Sequence, residues 1–167
     1  MTKNILKSNN KKNEYVIEWF PATKLPKLHP VTQVYGVCFN HSGQILIVKT
    51  TKNWQLPGGH PERGESYEET LKREVDEEGD IDIENLIPLG YQKVTRYTSR
   101  KKVFVFYQLR YFAKISRMKK QTIDPATERI PKRRFIEPKN FLNYCQWGKT
   151  GKAMMQAAMD TFTKENK

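Results

Sequence analysis

The stretch of sequence that decides the fold runs from residue 56 to residue 81 and reads LPGGHPERGESYEETLKREVDEEGDI. It begins with a glycine-containing loop, and from Ser66 to Glu78 it contains neither glycine nor proline. Ser66 is followed three residues later by Glu69, which is the spacing of a capping box at the start of a helix. The pattern therefore predicts a loop followed by a helix over residues 66–78.

The predicted helix concentrates negative charge on one face. Glu74, Glu77 and Glu78 are three and four residues apart, so on a helix their carboxylates fall within about 100° of arc. Like charges at this spacing repel one another, and a hard divalent cation with oxygen ligands would offset the repulsion. Gly58 and Gly59 would let the backbone approach a metal or a phosphate closely. An isolated acidic face would indicate solvated surface, but the glycine loop beside it favours a metal and phosphate site.

The spacing of these residues resembles the Nudix box, GX5EX7REUXEEXGU, in which U is a bulky aliphatic residue. The match runs from Gly59 to Ile81, with Glu65 and the segment 73–78 at the fixed positions. The box asks for glycine at position 80, where this chain has Asp80, and Gly79 stands one residue early. Because glycine readily adopts the left-handed conformation that ends many helices, we expect Gly79 to supply a shifted C-cap.

The resemblance to Nudix hydrolases implies an α/β fold, an α/β/α sandwich around a mixed β-sheet, in which the box presents metal ligands to a diphosphate. It implies catalytic roles for residues of the loop, the helix and a later loop: Glu65, Arg73, Glu74, Glu77, Glu78 and Glu128. The metal, Mg²⁺ or Mn²⁺, would be held by Glu74, Glu77, Glu78 and the carbonyl of Gly58. Glu65 and Arg73 would brace the loop against the helix. Family members differ in which glutamate acts as general base, so both a box glutamate and Glu128 are candidates.

Strand patterns flank the box on both sides. Residues 31–39 and 44–50 are β-rich and are separated by Asn40-His41-Ser42-Gly43, which predicts a hairpin. Further strands are predicted at residues 14–20, 86–95 and 102–115. A C-terminal helix over residues 152–164 would turn an apolar stripe to the core, formed by Met155, Ala158, Met159 and Phe162.

The domain organisation predicted from the sequence is simple. Residues 1–13 are rich in Lys and Asn and are predicted to be a flexible basic lead-in. Residues 14–167 are predicted to form a single Nudix domain, because a chain of 167 residues can bury one ordinary core.

The composition favours an intracellular protein, and its dispersed basic residues indicate a solvated surface in the first place and polyanionic partners as the alternative. A formal net charge of +12 would attract nucleotides and also admits a nucleic-acid partner. The two cysteines, Cys38 and Cys145, lack CxxC spacing and nearby histidines, so they indicate buried free thiols of a cytoplasmic protein. No apolar run approaches the roughly 20 residues of a membrane span, so no membrane partner is expected.

The substrate depends on residues outside the box. Trp54 precedes the glycine loop and would either pack under it or stack on a base. Tyr97 lies 16 residues beyond Ile81, where family members that act on dinucleoside polyphosphates often carry tyrosine. Its neighbour Arg96 belongs to a basic group that could line an anion-attracting rim. A nucleoside triphosphate, including oxidised ones, is the default, with a dinucleoside polyphosphate or the 5′ end of RNA as alternatives.

The competing function is a Nudix-like sensor that binds a nucleotide or RNA without turnover. Degenerate binding versions of the domain commonly lose box glutamates, whereas Glu74, Glu77 and Glu78 are all present. This favours catalysis. Because family members are often dimers, the resemblance also implies a homodimer.

Overall fold

The computed structural model describes residues 2–7, 13–49, 53–98, 101–123, 128 and 130–167. The strands in this part of the chain are β1 (Thr2–Lys7), β2 (Asn13–Pro21), β3 (Val31–Phe39), β4 (Ile45–Lys49), β5 (Trp54–Gln55), β6 (Gly58–Gly59), β7 (Ile81–Thr98), β8 (Lys101–Met118) and β9 (Lys132–Ile136). The helices are α1 (Tyr67–Gly79), α2 (Phe141–Tyr144) and α3 (Gly148–Glu165), with a 3-10 turn at Pro138–Asn140.

The strands form one mixed sheet. Its order is β1-β2-β7-β8-β3-β4-β5, with β6 also paired to β3 and β9 also paired to β4. β3 and β8 run parallel, and the other strand pairs are antiparallel. The mixed sheet that the resemblance implied is therefore confirmed.

Helices α1 and α3 cover opposite faces of this sheet. Val34 and Tyr35 are neighbours in β3, so their side chains point to opposite faces. Val34 belongs to the core cluster that contains Leu71 of α1, and Tyr35 belongs to the cluster that contains Met154 of α3. Leu71 and Met154 are fully buried, and each contributes about 1.5–3 kcal/mol of hydrophobic stabilisation. The α/β/α sandwich is confirmed.

The start of α1 is fixed by its own sequence. Ser66 is the N-cap, and its hydroxyl accepts a hydrogen bond from the Glu69 amide at 3.2 Å. The Glu69 carboxylate accepts one from the Ser66 amide at 2.7 Å. The predicted capping box is confirmed, and it sets the direction in which the acidic helix leaves the glycine loop.

The end of α1 differs from the prediction. Gly79 is still helical and buried, and Asp80 itself is the left-handed C-cap, with φ 50° and ψ 48°. The expected shift of the cap to Gly79 was therefore wrong. An aspartate can take this conformation because its short polar side chain finds partners nearby. Its carboxylate accepts hydrogen bonds from the Thr122 amide at 3.0 Å and from the Thr122 hydroxyl at 2.7 Å.

The predicted hairpin is present but brief. β3 and β4 pair at Phe39 and Ile45, across a turn in which the Asn40 side chain accepts from the amides of Ser42 and Gln44 at 3.0 and 2.9 Å. β4 then leaves β3 and pairs along its length with β9, a strand that the sequence did not reveal. This divergence leaves the edge of β3 free to pair with β6 of the glycine loop.

The two strands that follow the box are longer than predicted at both of their ends. β7 and β8 have 18 residues each, whereas strands were expected at residues 86–95 and 102–115. At the N-terminus, Thr2–Lys7 pairs with β2, within the segment predicted as a flexible lead-in; residues 1 and 8–12 of that segment lie outside the described residues. The flexibility of the lead-in and the single domain over residues 14–167 stay predictions.

The core face of α3 agrees with the expected stripe at Met155, Ala158 and Phe162 and differs from it at Met159. Met154, Met155 and Ala158 are buried, whereas Met159 is 40% exposed, so its assignment to the core was wrong. The buried positions of α3 are 150, 151, 154, 155 and 158, and Met159 falls on the rim of that face. Within the described residues, no helix is long and apolar enough to cross a membrane.

Candidate active site

The glycine loop lies against the open edge of β3. Gly58 pairs with Tyr35 and Gly59 pairs with Val34. Gly58 has φ 145°, and a Cβ atom at this position would collide with the carbonyl oxygen of Val34. Only glycine fits here, because the loop must approach the strand backbone to backbone.

Two carboxylates of α1 reach this loop. Oε2 of Glu78 accepts a hydrogen bond from the Gly58 amide at 2.8 Å. The Glu74 carboxylate lies directly against Gly59, at the place where a Cβ of that residue would be. Burial raises the pKa of Glu78 to about 7 and also raises the pKa of Glu74. The fold therefore holds two partly desolvated carboxylates beside a backbone turn.

Arg73 connects the loop to this acidic face. Its Nε and Nη2 donate to the two carboxylate oxygens of Glu65, at 2.7 and 3.1 Å, and Nη2 also donates to the His60 carbonyl at 3.0 Å. Its Nη1 donates to Glu74 at 3.0 Å and to Glu77 at 3.2 Å. The planar fork of a guanidinium suits such a bridge. The Arg73 guanidinium thus forms hydrogen bonds to the loop and to two of the predicted metal ligands on the helix.

Glu65 is the partner that fixes the loop end of this bridge. The hydrogen bond from Arg73 is the main reason that the pKa of Glu65 falls to about 2, with a second contribution from the amide of Glu62. Its Oε2 also accepts from the Thr70 hydroxyl at 2.9 Å. Glu65 is therefore ionised and fully occupied by protein partners.

The donor chemistry of this face suits a hard divalent cation. In the described part of the chain, no three His, Cys, Asp or Glu side chains already converge as a metal cage. Nη1 of Arg73 donates to both Glu74 and Glu77, while Glu78 accepts from the amide of Gly58. Glu74, Glu77, Glu78 and the carbonyl of Gly58 offer oxygen atoms, which Mg²⁺ and Mn²⁺ prefer. The carboxylates outnumber the single guanidinium, and the desolvated Glu78 has no cationic partner among the described residues, so the residues fit such a cation.

The carboxyl end of α1 is anchored to the β7–β8 hairpin by a second ion-pair group. Lys119 contacts Asp76 of α1 and lies 3.0 Å from Oδ1 of Asp82. Nε of Arg117 donates to Oδ2 of Asp82 at 2.8 Å. These hydrogen bonds, with that from Lys119 first, hold the pKa of Asp82 below its ordinary value.

A pH-dependent change in stability is expected from Asp82→Asn. A carboxyl whose pKa is lowered by folding contributes stability that is present above its unfolded pKa and is lost as the pH falls through its folded pKa. The substitution should therefore lower the free energy of unfolding at neutral pH, and the difference from wild type should shrink toward zero below the ordinary pKa of 3.8. Denaturant unfolding of both proteins across this pH range measures it. A difference that stays constant with pH would contradict the assignment.

The structure separates the predicted substrate residues from the glycine loop. Gly58, Tyr35, Arg110 and Gly90 pair in one row across the sheet, and Tyr97 follows Gly90 by seven residues in β7. At about 3.3 Å per residue, Tyr97 lies about 23 Å farther along the strand. Its neighbour Arg96 lies at the same remote end of the hairpin.

The remaining predicted residues lie elsewhere. Trp54 is half-buried and packs edge to face with Tyr144 at 6.3 Å, while the guanidinium of Arg134 lies 4.9 Å from its ring. The ring is thus engaged with the protein. Glu128 is exposed with φ 54°, and its neighbours at 124–127 and 129 lie outside the described residues, so its role stays a prediction.

A buried polar group on the α3 face of the sheet was not predicted from the sequence. Arg110 is 1% exposed, and its guanidinium lies 4.6 Å from the ring centre of Tyr35 and 4.9 Å from that of Trp147. Within the described residues it has no carboxylate partner. Burial lowers the pKa of Arg110 to about 10. The aromatic faces offset part of the cost of burying this charge.

Three glutamines form a row beside Arg110. Gln92 pairs with Gln108 across β7 and β8, and Gln108 pairs with Gln33 across β8 and β3. Nη2 of Arg110 donates to Oε1 of Gln92 at 2.8 Å and to Oε1 of Gln108 at 3.0 Å. Nε2 of Gln108 donates to Oε1 of Gln33 at 2.7 Å. The sequence signal for this buried polar group is the presence of polar residues at alternate positions within otherwise apolar strands.

Comparison with known proteins agrees with this architecture. A family model described as NUDIX domain matches residues 28–155. The Bacillus subtilis pyrophosphohydrolase BsRppH is similar in fold, with 20% identity, a TM-score of 0.70, and coverage of 95% of this chain and 97% of that one.

Two further solved structures share the fold. The MutT protein from Bacillus halodurans has 21% identity and a TM-score of 0.54, over 74% of this chain and 80% of that one. The Ap4A hydrolase from C. elegans, in a binary complex, has 15% identity and a TM-score of 0.57, over 79% of this chain and 98% of that one. At these identities the likeness concerns the fold.

Proposed function

This chain belongs to the NUDIX family and is a Nudix hydrolase of pyrophosphate bonds, and from that premise we propose that it hydrolyses a diphosphate linkage in a nucleoside triphosphate with Mg²⁺ or Mn²⁺. Oxidised nucleoside triphosphates are included in this substrate class. The observation that carries the proposal is the arrangement of Glu74 and Glu78 against the glycine loop. Both carboxylates are partly desolvated, and burial raises both pKa values.

The metal ligands in this proposal are Glu74, Glu77 and Glu78, with the carbonyl of Gly58. A bound divalent cation supplies neutralisation of the diphosphate charge and a lowered pKa for a bound water. The excess of carboxylates over Arg73 supports a cation at this face, because like charges this close repel one another.

The protein side chains have separate tasks in this proposal. Arg73 orients Glu74 and, through Glu65, fixes the distance between α1 and the loop. Gly58 and Gly59 keep the loop free of side chains, so a phosphate can approach the backbone. The general base is a glutamate of α1, with Glu128 as the alternative.

Charge and the position of the site support the proposed substrate class. A net charge of +12 favours polyanions, and electrostatic attraction of this kind weakens with salt. Arg96 and Lys101, near the end of the β7–β8 hairpin, are remote from the loop, so they do not specify the group at the scissile bond. A dinucleoside polyphosphate or the 5′ end of RNA is the alternative, because either could extend from the loop toward that end of the hairpin.

The test is a panel of substrates with and without metal. Nucleoside triphosphates, oxidised nucleoside triphosphates, dinucleoside polyphosphates and triphosphorylated RNA are incubated with Mg²⁺ or Mn²⁺, and phosphate and pyrophosphate release are measured. We expect turnover of a nucleoside triphosphate that EDTA abolishes and added Mg²⁺ restores. Tight nucleotide or RNA binding without any metal-dependent turnover would establish the sensor function instead.

The remaining parts of the proposal concern location and assembly. A cytoplasmic location is supported by the two cysteines, which are buried and free. The homodimer and a nucleic-acid partner rest on family resemblance and on net charge respectively.

A further inference from the structure

We infer that Gln33 is the specificity-determining residue for the nucleobase, and that it selects bases with a carbonyl oxygen at C6 of a purine or C4 of a pyrimidine over bases with an amine at that position. The inference rests on the proposed function, since it names the base of the nucleotide substrate. Its physical basis is the hydrogen-bond direction imposed by Arg110.

The position of Gln33 places it beside the glycine loop. Gln33 precedes Val34, which pairs with Gly59, and it lies on the same face of β3 as Tyr35. Tyr35 in turn pairs with Gly58. The row that contains Gln33 is therefore about 7 Å along the strand from the loop. A nucleotide whose phosphates lie at the loop would carry its base at a comparable distance.

The direction of the hydrogen bonds is fixed at Arg110. A guanidinium can only donate, so Oε1 of Gln108 must face Arg110 and Nε2 of Gln108 must face away from it. That Nε2 donates to Oε1 of Gln33 at 2.7 Å. The amide of Gln33 is thereby oriented with its NH₂ group outward. Among the described residues the structure gives this NH₂ group no acceptor, and Gln33 is half-buried.

A fixed outward donor selects an acceptor on the ligand. A carbonyl at C6 of a purine, as in hypoxanthine or guanine, or at C4 of a pyrimidine, as in uracil, would complete the chain of hydrogen bonds. An exocyclic amine, as in adenine or cytosine, would place two donors face to face and leave both unpaired, which is the costly case in a desolvated site. Gln33 cannot turn its oxygen outward, because its oxygen must accept the hydrogen bond from Nε2 of Gln108.

Arg110 also begins a second branch of hydrogen bonds, which runs through Gln92 and gives an internal control. Gln92 accepts from Arg110 through Oε1, and its Nε2 donates to the Thr150 hydroxyl at 3.4 Å. The Thr150 hydroxyl donates to the carbonyl of Trp147 at 3.1 Å. This branch ends on a backbone oxygen inside the protein, so its polarity is independent of the ligand.

The decisive variant is Gln108→Glu. A glutamate has no donor, so one oxygen would accept from Arg110 and the other would accept from Nε2 of Gln33. Gln33 would then present its oxygen outward, and the preference should reverse. The matched control is Gln92→Glu, which adds the same charge beside the same guanidinium, where the Thr150 hydroxyl can rotate to donate.

The experiment compares ITP with ATP, which differ in carrying a carbonyl or an amine at C6, and UTP with CTP. For wild type and Gln92→Glu we expect kcat/KM to favour the carbonyl base by on the order of tenfold. For Gln108→Glu we expect the amine base to be favoured. Equal kcat/KM values for both bases in wild type, or an unchanged ratio in Gln108→Glu, would overturn the inference. If Gln108→Glu does not fold, Gln33→Met is the second variant. It should bring the kcat/KM ratios of ITP to ATP and of UTP to CTP close to one.

Equilibrium binding separates this inference from the proposed function. Dissociation constants for ITP and ATP are measured by titration for the same four proteins. If no nucleotide is hydrolysed but the ratio of dissociation constants reverses in Gln108→Glu, the proposed hydrolysis fails and the base selection stands. If nucleotides are hydrolysed with equal ratios in every variant, the hydrolysis stands and the base selection fails.

Discussion

Replacing Glu77 with glutamine is expected to lower kcat/KM for the nucleoside triphosphate by on the order of 10³-fold, because a metal ligand contributes several kcal/mol to stabilisation of the transition state. Glu77 is the most informative of the three proposed ligands. Its side chain is 59% exposed, and among the described residues its carboxylate contacts Arg73. A loss of activity would therefore report on chemistry, since the core does not depend on this side chain.

The control for this prediction is Glu68→Gln on the same helix. Glu68 is exposed in the first turn of α1, so its substitution removes the same charge from the same helix at a position that is not among the proposed metal ligands. We expect near wild-type kcat/KM for Glu68→Gln and unchanged thermal unfolding for both variants. Raising the Mg²⁺ concentration should recover part of the activity of Glu77→Gln if metal affinity is reduced. Wild-type kcat/KM for Glu77→Gln would remove Glu77 from the site.

The local part of the site could be predicted from the sequence. The cap at Ser66 and Glu69 and the shared face of Glu74, Glu77 and Glu78 depend on spacings of three and four residues, which a helix converts directly into proximity. No tertiary information is needed for that step. The confirmed helix therefore follows from a short stretch of chain, whereas the confirmed sandwich was implied by the resemblance of that stretch to the Nudix box.

The non-local part could not be predicted in the same way. Gln33 and Gln108 are 75 residues apart, and they meet because β3 and β8 are parallel with one particular register. Nothing in either strand alone specifies that register. The same holds for the remote position of Arg96 and Tyr97, which depends on the full length of β7.

Asp80 shows how one departure from a motif can be misread. The box position that asks for glycine is the position of positive φ in this chain, and Asp80 occupies it unchanged in register. The neighbouring Gly79 suggested a shifted cap because glycine is the usual residue in that conformation. The carboxylate contacts to Thr122 compensate for the absent glycine, and they involve a residue that is 42 positions away.

The second large effect is expected at Gly59, which has no positive φ. A Cβ atom in Gly59→Ala would overlap the carboxylate of Glu74, whose Oε2 would be 2.7 Å away. The carboxylate is the mobile end of a side chain, so it would move and the backbone would stay. A displacement of about 1 Å at a catalytic group can cost on the order of 10²-fold in rate. We therefore expect kcat/KM to fall by on the order of 10²-fold with little change in thermal stability.

Gly79→Ala is the matched control, since it adds the same methyl group to a glycine at the carboxyl end of α1. Its Cβ would meet Leu46 at 3.5 Å, an ordinary contact, and alanine in a helix is favoured over glycine by about 0.5 kcal/mol or more. Gly79→Ala should therefore unfold at the wild-type temperature or slightly above it and keep wild-type kcat/KM. Thermal unfolding and steady-state kinetics on both variants make the comparison. Because only Gly59 lies against Glu74, an equal loss of activity in both variants would mean that α1 as a whole, and not the position of the Glu74 carboxylate, limits the reaction.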